Sequence, residues 1–371
     1  MARRDQRLRG EQYVRGLLSV EGRKSMSNIA EKFGGGAVQQ SLQHFISSSS
    51  WDWLPIRRAL ARYLEYAMVH RAWVVKQMVV TKSGTSSVGV ERHFVPELGQ
   101  TVNSQQAFGV WLASESASVP VNWGLFLPPA WLSDGARRRK AGIPSGGAES
   151  TLGGCACRAV LAVTEDWQTR HFPVVLDVDS LEVADCIRRF AAAQVPVVLR
   201  VCDNAWLSMD GQGGPQLPGH NELTSLQIAG SLLAMRRPVS WVDPDSGAVR
   251  RSLVATAPVR LARVLEPQPP LLLFAEWAKA GPRPTRLWLT NITQASPPAL
   301  LGMTKLSLRV EHDFAKVSEQ VGIRDFEGRS FQGWHRHMTL ASVAHAALIL
   351  SEFDSAAAEH APQSEELYRA A

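Results

Sequence analysis

Cysteine is scarce in this 371-residue chain, with four residues, Cys155, Cys157, Cys186 and Cys202. Four are too few to staple a chain of this size, so reduced thiols are the expectation. Cys155 and Cys157 have no second Cys or His pair at zinc spacing after them, which excludes a structural zinc site there. No apolar run approaches the roughly 20 residues that cross a bilayer. The charged N-terminus has no hydrophobic signal-peptide core, so a cytoplasmic protein with no membrane partner is expected. A P-loop, a dinucleotide fingerprint and a serine nucleophile elbow are also missing. GQGGPQLPG, at Gly211 to Gly219, lacks the strand-turn-helix context that such motifs need.

What is present suits a folded chain of about two domains: hydrophobic residues make up 45% and charged residues 20%. Lys and Arg outnumber Asp and Glu by 40 to 34, giving a net charge of +6. An excess this small inclines the protein only weakly toward anionic partners, and clustering matters more than the sum. The clusters are MARRDQRLRGEQYVR at the start and Arg137, Arg138, Arg139 and Lys140 in one run.

From Glu11 to about Arg71 the periodicity is helical, and in IRRALARYLEYAMV an apolar stripe of Ile56, Leu60, Tyr63, Leu64 and Ala67 is predicted to face a core. After Trp73 the segments WVVKQMVV, SVGVERHF and QQAFGVWLA read as an antiparallel meander, followed by a Pro-rich polar loop. CRAVLAVTEDW reads as a helix, HFPVVLDVD as a buried strand ending in acids, LEVADCIRRFAAAQ as a helix and PVVLRV as a strand. That order implies a right-handed parallel crossover. The expected class is α/β, a mixed sheet flanked by helices. Its divisions are a helical N-terminal domain (1–71), a core in two parts (72–205 and 287–352), a β-rich insertion (206–286) and a tail (353–371).

Three antiparallel strands, a crossover to a strand ending in Asp, an insertion and a C-terminal helix with Glu follow the order of elements in RNase H-like nucleases. The stretches GRKSM, QQSLQHFISSSSWDW, SVGVERHF, VNWGLFLPPAW, ARRRKAGIP and GRSFQGWHRHMTLA resemble bacterial insertion-sequence transposases of the Asp-Asp-Glu class. The resemblance covers nearly the whole chain. It implies a first catalytic Asp in a pair at positions 76 and 77, where Lys76 and Gln77 stand. It implies the second Asp at Asp177 in PVVLDVD and the Glu at Glu311 in LRVEHDF. The signature Arg and Lys of the family's C-terminal helix fall on Ser307 and Ser318, with Arg309 and Lys316 nearby.

Such transposases work through two divalent ions bridged by the first Asp. A lysine in that place adds positive charge where the ions belong, so metal binding is expected to collapse. Asp52, Glu91 and Glu97 are the other acids that a different register could bring in. The candidate catalytic set is Lys76, Asp177 and Glu311, with no metal and no cofactor. The candidate anion- or nucleic-acid-binding set is Lys82, Arg92, His93, Arg137, Arg138, Arg139, Lys140, Arg309, His312 and Lys316. Of these, Arg92, His93, Arg309 and His312 are expected around the trio, where they would take a sulfate or phosphate. His335, His337 and the tryptophans Trp51, Trp53, Trp123 and Trp131 read as packing groups.

Three functions follow. One is a repurposed cleft acting without metal on a small sulfate- or phosphate-bearing molecule, in the specialised metabolism of a GC-rich bacterium suggested by the Ala- and Arg-rich composition. The others are a non-cutting DNA-binding remnant and an inactive product. A homodimer or a separate protein subunit stays open as a partner. In a reused site the trio lines an open pocket, whereas in a fossil site it is closed off and Asp177 neutralises a buried lysine.

Overall fold

The computed structural model describes residues 1, 3–95, 99–146, 149–178, 182–209, 222–264 and 266–359, the last seven by backbone only. Glu97, the GQGGPQLPG stretch and the last twelve residues of the expected tail lie outside the described residues. Four helices come first, α1 (Arg4–Ser19), α2 (Met26–Glu31), α3 (Gly36–Ser47) and α4 (Leu54–Ala67). On α4 the buried face is Arg57, Leu60, Ala61 and Leu64, with Met68 just beyond. The predicted stripe is therefore rotated: Tyr63 is 57% exposed, and its place toward the core is taken by an arginine.

The sheet opens with β1 (Ala72–Thr81), β2 (Glu91–Val95), β3 (Gln100–Ala113) and β4 (Ser118–Leu125). Two short helices follow, α5 (Pro129–Ser133) and α6 (Gly135–Ala141), inside the stretch expected to be loop. Then come α7 (Leu152–Leu161), β5 (Val174–Asp177), α8 (Val183–Ala192) and β6 (Val197–Val201). β1, β3 and β4 are successive antiparallel neighbours, and β5 and β6 run parallel to β1. This is an RNase H-like sheet. The third strand of its meander is β4, not the SVGVERHF segment, whose short β2 pairs only with the start of β3.

The remaining strands are β7 (Trp206–Met209), β8 (Glu222–Thr224), β9 (Arg237–Val242), β10 (Val249–Leu261), β11 (Leu271–Trp277) and β12 (Arg286–Thr290), with α9 (Ser225–Ser231) between β8 and β9. They extend the same sheet, because β12 pairs antiparallel with β6 and is followed outward by β11 and β10. The chain closes with α10 (Pro297–Asp313), capped by Ser296 with Pro at its start, and α11 (Phe331–Glu359). No described helix is long and apolar enough to cross a membrane. All four cysteines are unpaired.

Strand alternation divides the core between the two faces of the sheet. Trp73, Val75, Phe108, Val174, Leu176 and Leu199 join the core under α7 and α8, whereas Ala72, Val74, Met78, Val175, Val198, Phe274 and Trp288 join the one that includes residues of α10 and α11. By the same period of two, Lys76, Asp177, Arg200 and Arg286 all stand on the α10 face.

Candidate active site

Two registers and one helix build the site. Lys76 is directly opposite Asp177 in the parallel β1–β5 ladder, so their side chains leave the sheet side by side. From α10, Glu311 reaches down to the same point. The Lys76 ammonium donates to Asp177 Oδ2 at 2.7 Å and to Glu311 Oε1 at 2.6 Å. Two further cations, absent from the sequence-based expectations, converge on Asp177. Arg200 Nη1 donates to Oδ1 at 3.2 Å, and Arg286 Nη1 stands 3.7 Å from Oδ2. Their only local signal in the sequence is an arginine within one apolar run, VVLRV, and one at the start of another, RLWLT.

Exposure differs across this cluster. The Asp177 side chain is fully buried, Lys76 is 19% exposed and Glu311 46%. Arg200 and Arg286, at 31% and 23%, keep contact with solvent. Burial alone would push the Asp177 carboxyl above its ordinary range, but Lys76, Arg286 and Arg200 outweigh it and hold it below. The cluster is thus neither wholly open nor wholly closed: Asp177 is sealed beneath three cations, and the groups above it face outward.

A pair of divalent ions does not fit this donor set. The ammonium of Lys76 fills the gap between the two carboxylates, and both Asp177 oxygens are engaged by cations. Among the described residues no group of three or more His, Cys, Asp or Glu is placed to hold a metal. Of the two positions implied for the Asp pair, only 76 faces α10. Gln77 points to the other side and donates to Gln106 Oε1 at 2.7 Å. Asp52 accepts from the Leu54 amide in front of α4, and Glu91 is exposed on β2, so neither supplies the missing acid.

Beside the trio lies a cavity of about 200 Å³, walled by Trp111, Trp123 and Phe314, with Lys76, Glu311 and Arg324 among its lining residues. Gly109, opposite Lys76 in the β1–β3 ladder, leaves room for these rings: a Cβ there would fall 2.7 Å from Trp111 Nε1 and 2.8 Å from Trp123 Cζ3.

The other candidate residues are scattered. Arg92 and His93 do not surround the trio. Arg92 is opposite Asn103, six residues along β3 from the Gly109 that faces Lys76, or about 20 Å at strand rise. Arg309 is committed to Asp313, with Nε 2.9 Å from Oδ2, and His312 meets Asp245 in the β9–β10 turn. Lys316 is exposed, while Ser307 and Ser318 are fully buried and offer nothing to the cleft. Lys82 donates to the Phe326 carbonyl at 2.8 Å. Arg137 lies over the Trp131 ring and Arg138 bonds the Pro144 carbonyl, with Arg139 and Lys140 exposed beside them.

His335 stacks on Trp53 and contacts buried Arg57. His337 contacts the Tyr13 hydroxyl, with 2.9 Å between Nδ1 and the oxygen. Burial lowers the pKa of both imidazoles, that of His337 to about 4.

Residues 1–207, more than half of the chain, match a family model described as DDE superfamily endonuclease. A comparison with curated proteins finds no match. The match takes in Lys76, Asp177 and Arg200 and stops short of Arg286 and Glu311.

Proposed function

The chain belongs to the DDE superfamily endonuclease family, and from that membership we propose that it is a transposase-derived protein that has lost metal-dependent DNA cutting. Its old cleft takes a small sulfate- or phosphate-bearing molecule without metal. The observation that carries this reading is the array on Asp177. Three cations (Lys76, Arg200, Arg286) meet two carboxylates (Asp177, Glu311), leaving one positive charge over, and all three cations are partly exposed. An oxyanion entering at Arg200 and Arg286 meets guanidinium groups, whose planar donors suit sulfate and phosphate.

Asp177 acts here as a positioning residue, the buried counter-charge that keeps three cations together. Lys76 and Glu311, which line the same cavity as Trp111, Trp123 and Phe314, are the groups able to give and accept a proton. A role of this kind belongs to small-molecule metabolism rather than to DNA movement. The alternative within the family, recognition of DNA ends without cutting, requires a grip on many phosphates and hence a steep salt dependence.

Tryptophan fluorescence at low ionic strength, titrated with sodium sulfate and with phosphate, tests the proposal. Saturable binding, weakened about tenfold in Arg200→Gln, is expected, since one charge-assisted contact is worth roughly that factor. The pure protein is expected to leave supercoiled plasmid intact in Mg²⁺ or Mn²⁺, and Lys76→Asp to raise Mn²⁺ affinity. Plasmid nicking that depends on Asp177, or sulfate binding indifferent to Arg200, would overturn the reading.

A further inference from the structure

About 20 Å along β3 from the trio, a separate concavity of about 590 Å³ lies between β2, the α5–α6 pair and the loop before α11. Four cations line it: Arg92 from β2, Arg137 and Lys140 from α6, and Arg329 from the loop. Among the described residues the acid that lines it is Glu91, so there four positive charges stand against one. Arg92, Lys140 and Arg329 are exposed, and their side chains have no hydrogen-bond or ion-pair partner among the described residues.

Arg137 is fixed in place. Its guanidinium lies 3.7 Å from the centroid of the Trp131 ring and donates to the Thr85 carbonyl at 2.8 Å. Trp131 is itself buried and donates to the Val90 carbonyl at 2.9 Å. Nothing in the chemistry of the trio uses this assembly. Unpaired like charges brought together at one concavity repel one another and cost stability. A polyanion bound among them removes that cost.

We propose that this cleft is a second binding site, for a phosphorylated small molecule of nucleotide size carrying at least two phosphate groups, such as a nucleoside or sugar diphosphate. The volume lies in the range of small-ligand pockets, well beyond what a single sulfate fills. The cations come from three separate elements and converge on one cavity, whereas tracking a DNA duplex calls for cations spread along an extended strip. At the same cavity, Glu91 and the Asn103 side chain can accept hydrogen bonds from sugar hydroxyls, which a phosphate shell alone would not use.

Calorimetric titration of the full chain with ADP, and separately with pyrophosphate, tests the site. A saturable site that survives Arg200→Gln, and is therefore distinct from the trio, is expected for each. Arg92→Gln and Arg329→Gln should each weaken binding about tenfold and together about a hundredfold, because both side chains are exposed and bound to nothing else. Sulfate binding at the trio should be unchanged in the double variant, so failure here and failure of the first proposal are separable. The inference is overturned if neither probe saturates, if the double variant binds as tightly as the natural chain, or if adenosine without phosphate binds as well as ADP. It is also overturned if a 20-base-pair duplex displaces ADP at a lower concentration than ADP itself requires, since the cleft would then be a nucleic-acid surface.

Discussion

Asp177→Asn removes the charge beneath the cation array while keeping its shape, and its cost can be reasoned from the geometry. At an effective dielectric of about 20, a unit pair at the 2.7 Å Lys76 distance attracts by about 6 kcal/mol before desolvation. Most of that attraction is offset by the cost of burying the carboxylate. What mutagenesis senses instead is cations left without their partner, typically about 3–5 kcal/mol. Lys76 keeps Glu311, and both arginines keep some water, so the low end, about 3 kcal/mol at pH 7, is expected from urea unfolding followed by tryptophan fluorescence.

Glu311→Gln should cost less than about 1 kcal/mol, because that carboxylate is nearly half exposed. pH supplies a second check. The folded pKa of Asp177 is depressed, so its contribution is fully present above the unfolded value of about 3.9 and lost as pH falls through the folded one. The deficit of Asp177→Asn should therefore shrink below pH 4. A deficit under about 1 kcal/mol at pH 7, or equal costs for the two variants, would refute the reasoning.

Acid should attack the fold earlier, through buried imidazoles. His337 and His345 are held at about 4 by burial, so between the unfolded value of about 6.5 and 4 only the unfolded state takes their protons. Stability is then lost as pH falls through that window, by up to about 1.4 kcal/mol per pH unit per histidine; His345→Gln should flatten the slope, and an unchanged slope counts against the assignment. Arg57→Met removes donors to Asn122 Oδ1, Thr339 Oγ1 and the carbonyls of Trp123 and His335. It should cost about 2–4 kcal/mol in the same unfolding assay and speed hydrogen exchange in α4; a loss below about 1 kcal/mol would mean that α4 is held against β4 and α11 without these bonds. Gly109→Ala should cost about 1–3 kcal/mol by pressing on Trp111 and Trp123 and should shift their emission, and a neutral result would mean that the rings move freely.

The parts of this architecture that a reader of the sequence could find are those with local signals. β1, β5 and β6 are short apolar runs bounded by breakers, and Asp177 and Glu311 sit within recognisable strings of residues. β4 was invisible because SVPVNWGL is buried along almost its whole length and so shows no alternation. It also carries Pro120 where the β3–β4 register shifts, a place where a missing N–H is tolerated. Arg200 and Arg286 could not be assigned to Asp177 from the sequence, because their arrival depends on the registers of β5 with β6 and of β6 with β12. Arg92 and His93 have the chemistry to take an oxyanion, but β2 pairs with the end of β3 remote from the trio, which residue type alone does not reveal. The split character of the cluster, sealed below and open above, depends on how α10 lies over the sheet, which no local pattern encodes.

Lys76 meets Asp177 across 101 residues and Glu311 across 235. On a ribosome, where chain grows at about 5–20 residues per second, Glu311 emerges roughly 10–50 s after Lys76. Until then the Val74, Val175 and Val198 face of the sheet has no α10 to cover it. The parallel β1–β5–β6 part of the sheet, closed by so distant a helix, is slow to complete. During synthesis, therefore, this surface stays open to chaperones and to misassociation until α10 arrives.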